Sequence, residues 1–492
     1  MKILHIYPDT PTTFWSFRNA LKFISKKSSE PPLGLLTVAA MLPGTWEQRL
    51  VDCNVSKLTD KEIQWADYVF ISGMNVHIDS MKDIIRRCVE LKVKVVAGGP
   101  LCTTDHQLFD GVDHFVLNEA EATMTTFIRD LENGEAAHVY RAKDFPDISV
   151  SPVPRWDLLD IEKYASMSIQ YSRGCPFDCE FCSITMLNGR KPRTKQRKQL
   201  IAELDSLYKY GWRGTVFIVD DNFIGNKSKL KSDILPALID WSTQNEYPFQ
   251  FMTEVSINLA DDEELIDLMV KAGFDSTFIG IETPNEESLS ECGKVQNQKR
   301  DLVESVQKLH RCGLRVSGGF IVGFDNDPPS IFEQQIRFIQ NSGIVTAMVG
   351  MLNAPTGTHL FNRLKKENRL LDIMSGDNMD GSMNFIPRMN IDTLRDGYKE
   401  ILDTIYSQKV YYERVKTFLK EYKMPAFAPQ RIKRRDIKAF FRSIWILGVR
   451  EQGKRYYWKL FFYSLFRHPR KFALAITMAI YGFHFRSVIS VV

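Results

Sequence analysis

Residues 171 to 183 read YSRGCPFDCEFCS, which sets Cys175, Cys179 and Cys182 in a Cys-x-x-x-Cys-x-x-Cys spacing. Thiolate is a soft ligand suited to zinc or to an iron-sulfur cluster. A structural zinc site asks for four protein ligands in a closed tetrahedron, and no fourth Cys or His lies near this loop in the sequence. A four-iron cubane ordinarily takes four cysteines. Held by three, it leaves one iron open to a small molecule and becomes a catalyst as well as an electron carrier. Disulfides are excluded first: the chain has 8 cysteines in 492 residues, and MKILHIYPDT reads as a strand rather than a leader, which predicts free thiols in a reducing cytosol. Cys53, Cys88, Cys102, Cys292 and Cys312 are scattered and read as small buried hydrophobes.

The elements that must position this loop follow from periodicity. KILHIYP, QRLVDCN, DYVFISG, VKVVAGGP and HFVLNE read as strands separated by helical stretches, which predicts an α/β doubly wound, Rossmann-like domain over 1–140. Its ligands belong at the carboxyl ends of the strands. An aperiodic, proline-bearing linker is expected over 141–163. A second series, MSIQYS, GTVFIVDD, FQFMTEV, STFIGIE, RVSGGFIVG and IVTAMVG, predicts six parallel strands within 164–395. Six are too few for a closed eight-fold barrel but suit a partial one, with functional groups on its carboxyl-terminal rim. The region 396–492 reads as mainly helical.

The cysteine spacing, Phe181 before the last cysteine and the strand pattern that follows resemble the radical S-adenosylmethionine (radical SAM) superfamily. That resemblance implies a 4Fe-4S cluster on Cys175, Cys179 and Cys182, with its open iron binding S-adenosylmethionine to generate a 5'-deoxyadenosyl radical. It places Asp220, Asp221 and Asn222 near the methionyl amine, Glu254 and Ser256 near the ribose, and Gly280 and Glu282 beside the adenine and methionyl part. The plain alternatives are an Asx turn at the end of the second strand and a rim ion pair for Glu282. The run GRKPRTKQRK reads as a solvated face or as an electrostatic lining.

The amino-terminal half resembles the branch of that superfamily with a cobalamin-binding domain: PPLGLLTVAAMLP, ISGM (Ser72, Gly73, Met74), VVAGGP (Gly98, Gly99, Pro100) and LNEAEAT (Glu119) carry the likeness. Gly73, Gly98 and Gly99 would let the backbone approach a flat macrocycle. No Asp-x-His triplet occurs in the chain, so either the lower cobalt face has no protein ligand or cobalamin has been lost. His77 is the nearest stray histidine and reads as a surface or capping residue. Phe14, Trp15 and Phe17 read equally as a cobalt-face shield or as core.

A formal charge of +4 hides an asymmetry: from Arg431 onward 14 Lys or Arg face only Asp436 and Glu451, amid 14 aromatic residues. The uncharged run Phe472 to Phe483 is too short to span a bilayer. An interfacial helix on anionic lipid and a helical cap on the barrel weigh equally, and no nucleic-acid reader accompanies the charge. The whole pattern resembles the subgroup near hopanoid C-2 methylases, whose carboxyl-terminal region is a domain of unknown function. It implies a cobalamin-dependent methyltransferase acting on an unactivated carbon of a lipid-like or other small molecule, reduced by flavodoxin or ferredoxin, cytoplasmic, with peripheral contact at the inner membrane face. A radical enzyme of another reaction type, with cobalamin structural or absent, and a non-enzymatic cobalamin or iron-sulfur sensor remain as alternatives.

Overall fold

A computed structural model describes residues 1–425 and 434–490; residues 431–433 and 491–492 of the basic tail lie outside the described residues. Six parallel strands, β1 (Lys2–Tyr7), β2 (Glu47–Asp52), β3 (Tyr68–Ser72), β4 (Lys94–Gly98), β5 (His114–Leu117) and β6 (Val139–Arg141), form one sheet in the order β2-β1-β3-β4-β5-β6. Successive side chains serve opposite faces, as period two demands: Leu4, Ile6, Val69, Ile71, Val95 and Ala97 join one apolar cluster, Ile3, Phe70 and Val96 the other. This is the predicted doubly wound layer. Periodicity does not reveal β6, an edge strand of 3 residues with only Tyr140 buried. The order reverses between β1 and β3, so the ligand crevice opens where Tyr7 and Ser72 end their strands.

The second sheet begins with β7 (Ser166–Ile169). An antiparallel pair, β8 (Ser172–Arg173) and β9 (Arg193–Thr194), then brackets the cysteine loop. β10 (Thr215–Ile218), β11 (Gln250–Glu254), β12 (Phe274–Glu282), β13 (Arg315–Val322) and β14 (Ala347–Met351) complete a parallel sheet whose neighbours follow chain order. Val216, Ile218, Phe251 and Thr253 are buried toward the surrounding helices, while Phe217, Met252 and Glu254 between them stay half-buried. Phe278, Ile321 and Met348 continue that half-buried face. The concave side of the partial barrel is therefore a hollow.

Both edges of this open sheet are covered from elsewhere in the chain. Beside β7, the segment 27–29 adds its own backbone: Ala165 N donates to Ser28 O (3.0 Å) and Ser166 N to Ser29 O (2.9 Å). Beside β14, the Tyr406 hydroxyl donates to Ala347 O at 2.7 Å. Phe14 stacks on Phe485 of the helix Phe472–Ile489 with ring centroids 4.2 Å apart, and its carbonyl pairs with His484 Nε2 at 2.9 Å. Trp15 meets Phe278 edge-on at 5.3 Å and points Nε1 at Met348 Sδ, 3.0 Å away. Phe17 stacks against His484. These aromatic residues are core and barrel wall.

The carboxyl-terminal helix departs from expectation. From Pro469 to Ile489 it is long and apolar enough to cross a membrane by length and composition, since it runs past both ends of the uncharged stretch. Yet 56% of its most apolar window is buried inside the protein. Tyr411 donates to Met478 O at 2.6 Å, and a Cβ at Gly482 would stand 2.4 Å from the Tyr411 ring. It serves as a core helix. Phe14→Ala should accordingly cost about 3–5 kcal/mol, read as a lower urea midpoint; a loss below about 1 kcal/mol would show that the amino-terminal loop is not part of the core.

Candidate active site

The cysteine loop is built by backbone capture. Asp220, just past β10, is 1% exposed and accepts Tyr171 N (2.7 Å), Ser172 N (2.8 Å) and Ser172 Oγ (2.6 Å). Asp221 accepts Gly174 N at 2.7 Å and Asn188 Nδ2 at 3.0 Å. Gly174 sits at φ +94°, and a Cβ there would lie 2.8 Å from Gly189 O and 2.9 Å from Asn188 O, so only glycine fits. The loop closes through Cys175 N to Gly189 O and Cys182 N to Cys179 O. Asp220 and Asp221 thus act as clamps on the loop, with Asp220's oxygens fully spent inside the protein.

Two ion networks, one largely buried and one half-buried, fix the loop from outside. Arg173 reaches Glu119 (2.6 Å) and Glu121 (2.8 Å), and Arg193 reaches Glu119 (2.6 Å). On the other flank Arg363 grips Glu180 with Nε at 2.6 Å and Nη2 at 3.1 Å and reaches Asp325 at 2.8 Å, while Glu180 N donates to Cys292 O. Although burial opposes it, Arg173 holds the Glu121 carboxyl down at about 2. The structure gives Glu119, expected at cobalamin, a structural role: its carboxylate is held by Arg173 and Arg193 and joins the two domains. It corrects part of the basic run, because Arg193 is bound to Glu119 and Lys195 is buried against Glu203, leaving Arg190, Lys191, Arg197 and Lys198 exposed.

Cys175, Cys179 and Cys182 come together at the rim. Asn222 Nδ2 lies 3.9 Å from Cys175 Sγ, and Gln296 Nε2 lies 3.8 Å from Cys179 Sγ. Burial, reinforced by the neighbouring thiols, pushes Cys182 up to about 12, so ligand binding must drive its deprotonation. Among the described residues no three His, Cys, Asp or Glu side chains converge where a single metal ion would sit.

Lys294, which periodicity and spacing do not single out, is 9% exposed and pairs with Glu282. Burial disfavours its charge, yet Glu282 and Cys179 hold it above its ordinary value. Glu282 itself has φ +64°, and a Cβ on Gly280 would strike Glu282 Oε1 at 2.3 Å and Lys294 Nζ at 2.7 Å. Asn222 and Ser256 bond each other, Nδ2 to Oγ at 3.2 Å. Glu254 faces the hollow, where burial first and Asp221 second push it up to about 8; burial likewise lifts Glu30, delivered beside β7 opposite Ser168, to about 7.

At the first sheet's crevice Met74 is 50% exposed and Ser72 half-buried. Packing within the protein by itself requires the glycines. A Cβ on Gly73 would meet Met81 Sδ at 2.7 Å, on Gly98 Val116 O at 2.6 Å, and on Gly99, at φ +86°, Ser72 Oγ at 2.2 Å. Pro100 opens the following helix and is exposed. His77 is fully buried, pairs with Thr10 Oγ1 (2.9 Å) and accepts Met74 N (3.0 Å), and burial lowers it to about 4. It caps the turn. Asn118 Oδ1 and Thr123 Oγ1, past β5, are buried without a hydrogen-bond partner among the described residues.

Family profiles match residues 23–128 as a B12 binding domain, 169–339 as the radical SAM superfamily and 358–492 as a domain of unknown function, DUF4070. An uncharacterized methyltransferase of Synechocystis is 43% identical, covering 99% of this chain and 91% of its own. The hopanoid C-2 methylase of Rhodopseudomonas palustris is 33% identical, covering 95% and 90%. The chain belongs to the cobalamin-binding branch of the radical SAM superfamily. The fold agrees with solved structures: OxsB, a cobalamin-dependent S-adenosylmethionine radical enzyme, superposes with a TM-score of 0.62 at 14% identity over 99% of this chain and 79% of that one. The methyltransferase TsrM of Kitasatospora setae does so with 0.57 at 14% identity, over 80% and 84%.

This radical SAM enzyme uses a 4Fe-4S cluster, S-adenosylmethionine and cobalamin, and the donor sets fit: three thiols at the rim, and unpartnered polar atoms at the crevice. Glu119→Ala tests the clamp assignment. It should cost about 3–5 kcal/mol by stranding buried guanidinium charge while cobalamin content stays unchanged; lost cobalamin at full stability would return Glu119 to the cofactor. Glu254 gives a pH test. Below about 8 the folded protein holds a proton that the unfolded chain releases above its ordinary carboxylate range, so stability falls as pH rises through that window. E254Q should flatten the fall in urea midpoint between about pH 5 and 8; an unchanged slope would show a solvated carboxyl.

Proposed function

We propose that this methyltransferase alkylates an unactivated carbon of a lipid-like small molecule. The observation that carries the reading is the hollow beside the cysteine loop, whose wall of Phe217, Met252, Phe278, Ile321 and Met348, with Trp15 against it, is apolar and half-buried. Such a surface accepts hydrocarbon and excludes water. The hopanoid C-2 methylase relative is named for a substrate of that class.

When bound, the cluster and S-adenosylmethionine supply hydrogen-abstracting radical chemistry and cobalamin a transferable methyl group. The chain supplies position. Cys175, Cys179 and Cys182 would hold the cluster, and Asp220, Asp221 and the arginine clamps fix the loop that carries them. Lys294 would meet a ligand carboxylate. Asn222, Glu254, Ser256, Gly280 and Glu282 would shape the adjoining S-adenosylmethionine pocket. Ser72, Met74, Asn118 and Thr123 would meet cobalamin. The exposed Arg190, Lys191, Arg197 and Lys198 beside the loop suit an acidic one-electron donor such as flavodoxin or ferredoxin.

The test is anaerobic reconstitution followed by iron and cobalt analysis, 5'-deoxyadenosine detection and lipidomics with methyl-labelled methionine. About four irons per chain, bound cobalt and labelled methyl in a lipid fraction are expected, and Cys179→Ala should abolish iron and 5'-deoxyadenosine together. Turnover of S-adenosylmethionine without methyl gain in any lipid would point to another radical reaction.

A further inference from the structure

Of the large apolar side chains that stand exposed, seven fall within one stretch of the carboxyl-terminal region: Ile437 (49%), Phe441 (64%), Trp445 (59%), Val449 (46%), Phe462 (50%), Leu465 (36%) and Phe466 (75%). The first four recur every fourth residue through the helix Arg434–Ser443 and the π-helical segment Ile444–Arg450. Steps of four overshoot a 3.6-residue turn by about 40° each, and the wider π turn winds that drift back. They stay in one row. On the next helix, Lys454–Arg467, Trp458, Phe462 and Phe466 stack in series, with centroids 5.8 and 6.2 Å apart. Trp458 links the two rows, since its Nε1 donates to Gly448 O at 2.9 Å, one residue before Val449.

The charge around these rows is mostly positive, and the one acid on the first helix, Asp436, is paired with Arg435. Lys438, Arg450, Lys454, Lys459, Arg467 and Arg470 are exposed, and none forms an ion pair among the described residues. Glu451 is spent on Arg486. A monomeric protein rarely leaves such an apolar surface bare, and unpaired cations interleaved with aromatic rings match the headgroup layer of an anionic bilayer.

We infer that this pair of helices docks the enzyme on an anionic phospholipid surface, with Phe441, Trp445, Phe462 and Phe466 entering the headgroup boundary. The inference builds on the lipid-substrate reading above, while resting on the surface itself. The buried helix Phe472–Ile489 stays in the protein core, so the attachment is peripheral and reversible. Docking would place the enzyme where an apolar substrate resides.

The test is flotation of the full-length protein with vesicles of phosphatidylcholine alone and of phosphatidylcholine with one quarter phosphatidylglycerol. Binding should require the anionic lipid and weaken with salt. It should fall roughly tenfold or more in F441S/F466S and, as a second pair that leaves the rings intact, in K454E/R467E. Trp445 fluorescence should shift to the blue on binding, and W445F should lose that change. Equal binding to neutral vesicles, or binding unaltered in both double variants, would overturn the inference. So would a concentration-dependent dimer abolished by F441S/F466S, or retention of an anionic duplex DNA in place of vesicles. The substrate reading fails separately: methyl transfer to detergent-dispersed lipid tests it without a bilayer.

Discussion

An open six-stranded parallel sheet is the constraint on which the rest of this molecule depends. A parallel sheet presents raw hydrogen-bonding edges unless something pairs or covers them, and a partial barrel adds a hollow face. Here β7 is completed by backbone from residues 27–29, and β14 is bonded by Tyr406. Phe14 and Trp15 come from the first domain, and Phe485 from near the chain's end. One apolar cluster consequently runs from Phe14 through the barrel strands to Phe485. Neither the amino-terminal segment nor the last helix is an appendage; each completes the barrel that carries the cysteines.

Electrostatics then fixes what packing leaves loose. A cysteine loop must hold three thiols apart and aimed, and it has little apolar surface of its own to do so. Arg173 and Arg363 anchor it on opposite flanks, to the cobalamin-type domain and to the helix His359–Lys366 respectively. Buried ion pairs repay little of their desolvation as stability. What they contribute is direction, because a guanidinium fork accepts only a narrow set of carboxylate geometries. Placing both forks within a few residues of the cysteines makes the loop's position a function of three sequence regions at once.

That division explains what the sequence made readable. The strands were visible because their burial alternates locally, and the cysteine spacing was visible because one loop contributes all three thiols. The resemblance of the motifs to the cobalamin-binding radical SAM branch agreed with the relatives. What stayed hidden was long-range. Nothing near Glu119 announces Arg173 and Arg193, and nothing near Asp220 announces the backbone of Tyr171 and Ser172. The glycines at 73, 98 and 99 stand at strand ends as expected, and their close neighbours Met81, Val116 and Ser72, which also require glycine, come from elsewhere in the fold. Lys294 sits among residues without pattern, and only the fold brings it to Glu282. The last helix looked short because its apolar run is interrupted by charge, although the helix continues through it.

The same reasoning bears on the hollow. Its wall is apolar, yet Glu30 and Glu254 face into it, and the buried ammonium of Lys294 is already paired with Glu282. Without a further cation, burial keeps both carboxyls well above the ordinary carboxylate range, at about 7 and about 8. Ionising either one alone in a poorly solvated space is unfavourable. A cationic ligand arriving there would supply the counter-charge that the described residues lack. The carboxyls would ionise as it binds, coupling that binding to proton release. A hollow that holds its acids above the ordinary carboxylate range when empty is stable without ligand and attractive to a cation.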